Sequence, residues 1–323
     1  MSTSGFSRRT FVMAAGGIMG AVPLLSVGEA LASSPVQLGH STKTFYWVSE
    51  NIADPFYVPG IAGMKQAAKL FGFKAALIGP SSNSTSAQAQ AFQEVVAKPD
   101  TGGILAYSID YHALAPIARQ AHAKGIPIVN GNADWGPPRD AFIGTPLEEL
   151  VGHAVGVVVA ALNGKGVVGF IGNTGINVVQ RGKLFAQELK KYPQITFVGS
   201  ATYDGSVAGA TSAIDAFVGT HPNLDVIWFG DGTSGSVASA FHRRAPKVQL
   251  VGTDLPPVMM QALKKGDAYA TIGQDTFSEE FFGFMALYFL SQGYRVPDQL
   301  NLAPIVLTKN NVSPFLTHPY RRM

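Results

Sequence analysis

The chain has 323 residues, of which 46% are hydrophobic and 14% are charged, so it can bury a large apolar core and, at ~150 residues per domain, should form about two domains. The absence of cysteine excludes disulfides, thiolate metal sites and a cysteine nucleophile. The formal net charge of +3 is small for this length and lysine and arginine do not cluster, so a nucleic-acid partner is not indicated.

The first 32 residues have the pattern of an export signal. Arg8 and Arg9 precede an uncharged stretch that is rich in alanine and glycine, and the segment ends in Ala-Leu-Ala at positions 30–32, which is typical of a signal-peptidase site. The paired arginines within Ser-Arg-Arg-Thr-Phe resemble a bacterial twin-arginine signal. We therefore expect a signal peptide over 1–32 that is cleaved at its end, a mature tail over 33–42, and a periplasmic protein.

Apolar runs alternate with helical patterns along the rest of the chain. The predicted strands are 44–50, 74–79, 103–108, 126–131, 141–145, 166–172, 195–201, 225–231, 248–254 and 269–275. Most of them are continuously apolar, as expected for parallel strands that are covered on both faces. Two series of about five strand–helix units predict an α/β fold with two doubly wound parallel-sheet lobes and right-handed crossovers.

The segment 58–71 predicts a helix whose buried face is marked by apolar residues at steps of three and four. The residues on that face are Ile61, Met64, Ala68 and Phe71. The turn before this helix contains Asp54, Phe56 and Tyr57. A turn between a strand and a helix is usually short and polar, so a carboxylate together with two aromatic rings at this point indicates a function.

The segments that follow the predicted strands are rich in carboxylates, amides and aromatic rings, and Arg181 is almost the only basic residue near them. These segments are 50–57, 81–84, 107–110, 130–135, 173–177, 203–204, 231, 254 and 274–275. Ligands of such sheets bind outside the carboxyl ends of the strands. Carboxylates and amides bond hydroxyl groups and rings cover C–H faces, so the set predicts a neutral, hydroxyl-rich ligand. For any single Asp or Asn, capping of the next helix is the alternative role.

Seven segments follow one another in an order and spacing that a known family shares. They are DPFYVPGIAGMKQAAKLFGF, KGIPIVNGNADW, QRGKLFAQEL, HPNLDVIWFGDGT, VQLVGTDLPP, DAYATIGQDTFSEEFFG and LAPIVLTKNN. Together they resemble the ribose-type periplasmic binding proteins, which are type I solute-binding proteins of ABC transporters, over essentially all of residues 43–310. The resemblance implies two Rossmann-like lobes that are joined by three crossover segments, close on a sugar and deliver it to an ABC-type importer.

The resemblance also implies that each lobe is assembled from two parts of the chain. The N-terminal lobe would comprise residues 43–145 and 276–302, and the C-terminal lobe residues 146–275 and 303–323. The join near 145–149 is short and lacks a flexible linker, so the lobes should lie close together and move about a hinge.

Candidate ligand contacts occur in both expected lobes. They are Asp54, Phe56, Tyr57, Asn132, Trp135, Arg181, Tyr203, Asp231, Asp254 and Gln274. The family implies that Phe56 and Tyr57 sandwich or edge the sugar ring at the cleft rim, and that Tyr203 supplies a ring from the second lobe. Asp254 and Gln274 match its carboxylate and amide near the hinge.

Two arginines that the family leads us to expect are absent. Its Asp-Arg pair after the fourth strand reads Asn132-Ala133 here, and another arginine falls on Val179, which leaves Arg181. Arginine supplies several planar donors, so its loss removes several hydrogen bonds to the ligand. The side chains that could compensate are Trp135, Arg139 and Asn177. We therefore expect a monosaccharide or polyol, and ribose is no more favoured than another pentose, a hexose, an open-chain polyol or a deoxy sugar.

The sequence predicts a monomeric binding protein and not an enzyme, with no cofactor and no nucleic-acid contact. No metal site is expected, because the histidines lack metal-ligand spacing. An extracytoplasmic sugar sensor that presents its ligand to a chemoreceptor or kinase is one alternative. Another is a carbohydrate-acting enzyme that uses a carboxylate pair such as Asp231 and Asp254. A regulator of the lac-repressor type would need a DNA-binding headpiece in place of the export signal.

Overall fold

Strands and helices alternate from Thr44 to Thr317 in the computed structural model, which describes residues 38–108 and 110–317. The expected signal peptide over 1–32 and the first half of the expected tail lie outside these residues. In the described part of the chain, no helix is long and apolar enough to cross a membrane.

The strands form two six-stranded sheets within the described residues. They are β1 (Thr44–Val48), β2 (Lys74–Ile78), β3 (Thr101–Ala106), β4 (Ile128–Gly131), β5 (Ala141–Gly144), β6 (Gly166–Asn173), β7 (Ile195–Tyr203), β8 (Val226–Phe229), β9 (Gln249–Thr253), β10 (Ala270–Gly273), β11 (Gln299–Asn301) and β12 (Ile305–Thr308). The first sheet has the order β11-β5-β4-β3-β1-β2 and the second the order β12-β10-β9-β8-β6-β7. All neighbouring strands are parallel except β10 and β12, which are antiparallel.

Helices cover both faces of each sheet. They are α1 (Val58–Phe71), α2 (Thr85–Ala97), α3 (Tyr111–Ala123), α4 (Leu147–Ala161), α5 (Ile176–Glu188), α6 (Val207–Thr220), α7 (Ser234–Arg244), α8 (Pro257–Lys265), α9 (Thr276–Ser291) and α10 (Ser313–Thr317), with short 3-10 turns at Pro55–Tyr57 and Leu189–Lys191. Helix α9 packs against α1 and against β3, β4 and β5, although it directly follows a strand of the second sheet.

The predicted fold class is confirmed, because the chain forms two α/β lobes with mostly parallel sheets. All ten predicted strands are present, and their ends differ from the prediction by two residues or fewer. The prediction missed β11 and β12, which both lie at sheet edges, and β11 has a single apolar residue, Leu300. The chain passes between the sheets after β5, after β10 and after β11. The lobe boundaries given above stay a prediction.

The two faces of each strand enter separate apolar cores. In β8, Val226 and Trp228 face the cluster around Phe185, whereas Ile227 and Phe229 face the cluster on the opposite side of the sheet. Strand β1 divides its side chains in the same way. This double burial explains why the strands are continuously apolar in the sequence.

Helix α1 buries the face that its sequence predicts, at a close approach to α9. Met64 and Phe71 are buried, and Ile61 and Ala68 are partly buried against the same core. Gly63 is required where α1 crosses α9, because a Cβ atom at this position would overlap the backbone carbonyl oxygen of Phe277. The helix ends where Gly72 adopts φ 63°, a left-handed conformation that favours glycine.

Replacing Phe185 by alanine should destabilise the second lobe strongly. Phe185 is fully buried, with its ring 4.8 Å from that of Trp228 and 6.0 Å from that of Phe197. We expect the free energy of unfolding in urea to fall by about 3–5 kcal/mol, because the substitution leaves a cavity in a packed core. Ile176→Ala is the control on the same helix, since Ile176 is 45% exposed, and should change this energy by about 0.5 kcal/mol or less. Equal losses in both variants would contradict this packing.

Candidate functional site

The carboxyl ends of the strands in the two sheets lie close enough to interact electrostatically. Burial, and after it the charges of Asp231 and Asp54, raise the pKa of Asp254 to about 6 against the opposing effect of Arg181. Asp54 follows β1 in the first sheet and Asp254 follows β9 in the second. The charge of Asp254 also acts on Glu279 at the start of α9. We call the space between these two sheet edges the cleft.

The turn between β1 and α1 places its three predicted residues differently. Asp54 is exposed, and its Oδ1 accepts a hydrogen bond of 2.9 Å from the backbone N–H of Phe56. Phe56 is half-buried and meets Tyr57 edge to face, with ring centroids 5.3 Å apart. Tyr57 is buried in the core against Trp47 and Tyr107, at 5.2 and 5.8 Å, so its ring is not at an exposed rim as expected. A ligand contact by Tyr57 stays a prediction.

Two adjacent carboxyl groups behind this turn were not among the predicted site residues. Glu279 and Glu280 are both fully buried near the start of α9. Glu280 accepts a hydrogen bond from the hydroxyl of Tyr107, and Glu279 accepts one from the backbone N–H of Asn132. Burial raises the pKa of Glu279 to about 8 and that of Glu280 well above its usual value. Burial therefore favours the protonated form of both carboxyl groups.

The helical pattern of α9 is the signal that could have found this pair. Gly283, Phe284 and Leu287 form its buried face, and Glu279 and Glu280 lie one turn before them on that face. Adjacent glutamates in an otherwise apolar helix usually indicate a solvated end. Their place on the apolar face is what marks them as buried.

Asn132 and Trp135 lie in the loop after β4, on the first-lobe side of the cleft. Asn132 has φ 62°, in the left-handed region that few residues other than glycine and asparagine adopt readily. Its Oδ1 is buried without a hydrogen-bond partner among the described residues, as is Nε1 of the half-buried Trp135. Glu279 holds the backbone of this loop, so α9 positions the cleft wall from behind.

Arg139 does not supply the guanidinium that the family pattern leads us to expect. It donates hydrogen bonds of 2.7 Å to the carboxylates of Asp134 and Asp298, and its side chain is only 6% exposed. This pairing ties the loop after β4 to the segment before β11. Arg139 therefore has a structural role, and four of its five N–H donors are bonded within the protein.

Tyr203 and Asp231 form one bonded unit in the second lobe. The Tyr203 hydroxyl donates to Oδ1 of Asp231 at 2.6 Å, and the backbone N–H groups of Asn173 and Thr233 donate to the same carboxylate at 2.8 and 3.0 Å. The ring of Tyr203 packs on Phe229 at 5.6 Å. Asp231 thus joins the ends of β6, β7 and β8, and most of its accepting capacity is used within the protein.

Arg181, Asp254 and Gln274 form a second, less satisfied group in the same lobe. Arg181 is 5% exposed and donates from Nη1 to the carbonyl oxygen of Gly230 at 2.9 Å, while its Nε is buried without a partner in the described chain. Asp254 has φ 65°, interacts with the buried Gln274 and keeps Oδ1 buried and unpaired within the described ranges. Burial lowers the pKa of Arg181, although Asp254 and Asp231 oppose this effect.

The cleft therefore collects buried polar atoms, from both lobes, that find no partner among the residues the structure describes. They are Glu50 Oε2, Asn132 Oδ1, Trp135 Nε1, Arg181 Nε, Asp254 Oδ1 and Glu279 Oε2. An unpaired buried polar group costs about 1–3 kcal/mol, so a cluster of them indicates a ligand that completes the hydrogen bonds. Among the described residues, no group of three or more His, Asp or Glu is placed to hold a metal ion.

The chain is similar to known proteins over most of its length. The family model of the periplasmic binding protein domain matches residues 45–295. The xylose/arabinose-binding protein XylF of Sulfolobus acidocaldarius is 22% identical over 302 residues, which cover 86% of this chain and 74% of that protein.

Two solved structures show the same fold. GanP, a glucose-galactose binding protein from Geobacillus stearothermophilus, has a TM-score of 0.78 at 20% identity and covers 84% of this chain and 99% of its own. An ABC transporter solute-binding protein from Burkholderia graminis in complex with D-arabinose has a TM-score of 0.78 at 23% identity, with 84% and 96% covered.

Replacing Glu279 by glutamine should flatten the dependence of thermal stability on pH. Burial raises the pKa of Glu279 from 4.5 to about 8, so the folded state holds this proton more tightly than the unfolded state. The resulting stabilisation is full below pH 4.5 and is lost as the pH rises to about 8. We expect the melting temperature to fall less in Glu279→Gln than in the unmodified protein between about pH 5 and pH 9, as measured by calorimetry.

The control for this measurement is Glu94→Gln, because Glu94 is exposed on α2. Glutamine at position 279 retains an oxygen that accepts from the Asn132 N–H, so the comparison isolates the titrating proton. A pH profile of Glu279→Gln as steep as that of the unmodified protein would show that this carboxyl is not protonated preferentially in the folded state.

Proposed function

The chain belongs to the periplasmic binding protein family, and on this premise we propose that it captures a sugar or polyol between its two lobes and delivers it to an ABC-type importer. The observation that carries the proposal is the set of unpaired, buried polar atoms on both sides of the cleft. The sugars in the names of the similar proteins support the ligand class.

The residues of the cleft divide the binding task between them. Phe56 would cover the C–H face of a sugar ring, since its ring is half-buried beside the exposed Asp54. Asp254 and Asn132 would accept from hydroxyl groups, and Nε of Arg181 would donate to a ring or hydroxyl oxygen.

The remaining predicted residues would support these contacts. Trp135 would offer the N–H of its ring, and Gln274 would orient Asp254. Tyr203 and Asp231 would hold the second-lobe wall, while Tyr57 would brace Phe56 from the core. Such positioning leaves the ligand-facing atoms fixed before the ligand arrives, which reduces the entropy that binding costs.

Binding would close the two lobes on each other. The proposed lobes comprise residues 43–145 with 276–302 and residues 146–275 with 303–323, and the three crossovers between them would act as the hinge. A ligand shifts this equilibrium only through contacts that it makes better in the closed state. Groups from both lobes, such as Asn132 and Asp254, meet that requirement.

The proposed site of action is outside the cytoplasm, which the family implies. We propose that the protein is exported through the twin-arginine pathway, that residues 1–32 are then removed, and that a monomer docks on the membrane permease.

We infer binding and not catalysis from the state of the candidate acid–base pair. A glycosidase needs two carboxyl groups that are free to exchange protons with the substrate. Asp231 instead accepts three hydrogen bonds from the protein itself, from Tyr203, Asn173 and Thr233. A sugar that binds should therefore be recovered chemically unchanged, which NMR of the incubated mixture would test.

A thermal-shift screen against monosaccharides and polyols tests the proposed function. A ligand that binds only the folded state stabilises it by about 2.7 kcal/mol at a hundredfold excess over Kd. We expect one stereochemical series of sugars or polyols to raise the melting temperature by several degrees, with saturable binding in calorimetry. If neither neutral nor charged carbohydrates and polyols raise it, the proposed function is wrong.

Asp254→Asn and Phe56→Ala should weaken the binding of the sugar found in that screen. Asparagine keeps the shape of Asp254 and tolerates its left-handed φ of 65°, but it loses the charge. A hydrogen bond to a charged group contributes about 1.5–3 kcal/mol, so calorimetry should show an affinity roughly ten- to a hundredfold lower. Phe56→Ala should lose a similar amount, because the sugar face would no longer be covered.

The matched control is Asp204→Asn, in the same lobe. Asp204 follows β7 at the same edge of the sheet, but it is exposed and bonds only locally to Ser206. Its substitution should leave both the affinity and the circular dichroism spectrum unchanged. Near-normal affinity in both Asp254→Asn and Phe56→Ala would remove the assignment of this site.

A further inference from the structure

The cleft contains more acidic groups than its basic groups can match. Four carboxyl groups lie on it, those of Glu50, Asp54, Asp231 and Asp254. The sequence segments that follow the strands contain no lysine, and the arginines near them are Arg139 and Arg181. Arg139 is paired with two carboxylates away from this group, so Arg181 is the one guanidinium that faces these acids among the described residues.

Some carboxyl oxygens of these acids have no hydrogen-bond donor within the described residues. Oε2 of Glu50 and Oδ1 of Asp254 are buried and have no hydrogen-bond partner within the described ranges. Because a carboxylate only accepts hydrogen bonds, a ligand that is rich in donors would satisfy these atoms.

Three of these acids come from opposite lobes. Glu50 and Asp54 belong to the segment after β1, and Asp254 follows β9 in the second sheet. The charge of Asp54 acts on both Glu50 and Asp254, so all three surround one region of the cleft. Like charges on the two lobes oppose closure unless a positive group is placed between them.

Asp231 and Arg181 do not remove this excess. Asp231 is occupied by three donors of the protein, and Arg181 is drawn both to Asp231 and to Asp254. One guanidinium shared by two carboxylates leaves Glu50 and Asp54 without a basic partner in the described cleft. A hydroxyl group can fill the hydrogen bonds of these acids, but it does not offset their charge.

Extending the proposed function, on which this inference rests, we propose that the ligand is a sugar or polyol that carries an amino group. Its ammonium group binds between Glu50 and Asp54 of the first lobe and Asp254 of the second. An ammonium group supplies three donors and one positive charge, so it can donate to the unpaired oxygens of Glu50 and Asp254 and to Asp54 while offsetting part of their charge. Because it contacts both lobes, it turns their mutual repulsion into attraction and favours the closed state.

Calorimetry with matched ligand pairs tests the proposal. The pairs are glucosamine with glucose, galactosamine with galactose, and a 1-amino-1-deoxy alditol with its parent alditol, and N-acetylglucosamine adds the same ring with the amine blocked. In the stereochemical series that binds, we expect the amine to bind about tenfold tighter or more than both its neutral counterparts, as one charge-assisted contact implies. A neutral member that binds equally well or better overturns the amino-group assignment and leaves the proposed function intact. Binding by neither member of any pair overturns the amino-group assignment, whereas the proposed function is overturned only by a negative result in the full screen of monosaccharides and polyols.

Two variants separate this charge effect from general damage to the site. Asp54→Asn keeps an oxygen that accepts from the Phe56 N–H but removes the charge, so it should weaken the amine about tenfold and the neutral sugar about twofold or less. Glu148→Gln removes one negative charge from the exposed start of α4 and should change neither affinity. Equal weakening of the amine and the neutral sugar by Asp54→Asn would overturn the proposed position of the ammonium group.

Discussion

The cleft depends on one constraint, which is that a polar group removed from water needs a hydrogen-bond partner. In the core of the second lobe the constraint is met within the chain, for example where Nε1 of Trp228 donates to Thr253 at 3.0 Å. At the facing sheet edges it is not met, since Asp254, Glu279 and Arg181 each keep a buried atom without a partner among the described residues. The protein folds around this deficit because its apolar cores on both faces of each sheet supply the stability. A ligand can then supply the missing hydrogen bonds.

Parallel topology explains why residues that are far apart in the chain meet there. Every strand of a parallel sheet ends at the same edge, so Asp54 after β1 and Asn132 after β4 share one wall, and Asp231 and Asp254 share the other. The passages of the chain between the sheets bring these walls together. Helix α9 follows one of these passages and also holds the Asn132 loop through Glu279, so the element next to a proposed hinge and the wall of the cleft belong to one bonded unit.

Much of this could be predicted from the sequence, because its strongest signals are local. Continuous apolar runs gave ten of the twelve described strands, whereas the edge strands β11, with one apolar residue, and β12 were missed. The strand ends gave the candidate cleft residues. The hydrogen-bond and packing partners of these residues depend on tertiary contacts, which residue spacing in the sequence does not predict. The burial of Tyr57 and the pairing of Arg139 with Asp134 are contacts of this kind.

The charges in the cleft would affect how strongly the closure of the two lobes depends on a ligand. If every polar atom at the facing lobe surfaces had a hydrogen-bond partner, the lobes would close without a ligand. Closure would then not depend on whether a ligand is bound. Here Asp54 and Asp254 repel each other from opposite lobes, and burial raises the pKa of Glu50 to about 7 and that of Asp254 to about 6. The empty closed state would thereby be destabilised, and a ligand that supplies donors and charge would remove the penalty. The scarcity of basic residues and the excess of carboxyl groups in the cleft would therefore act in the same direction, since both would leave hydrogen bonds for the ligand to complete.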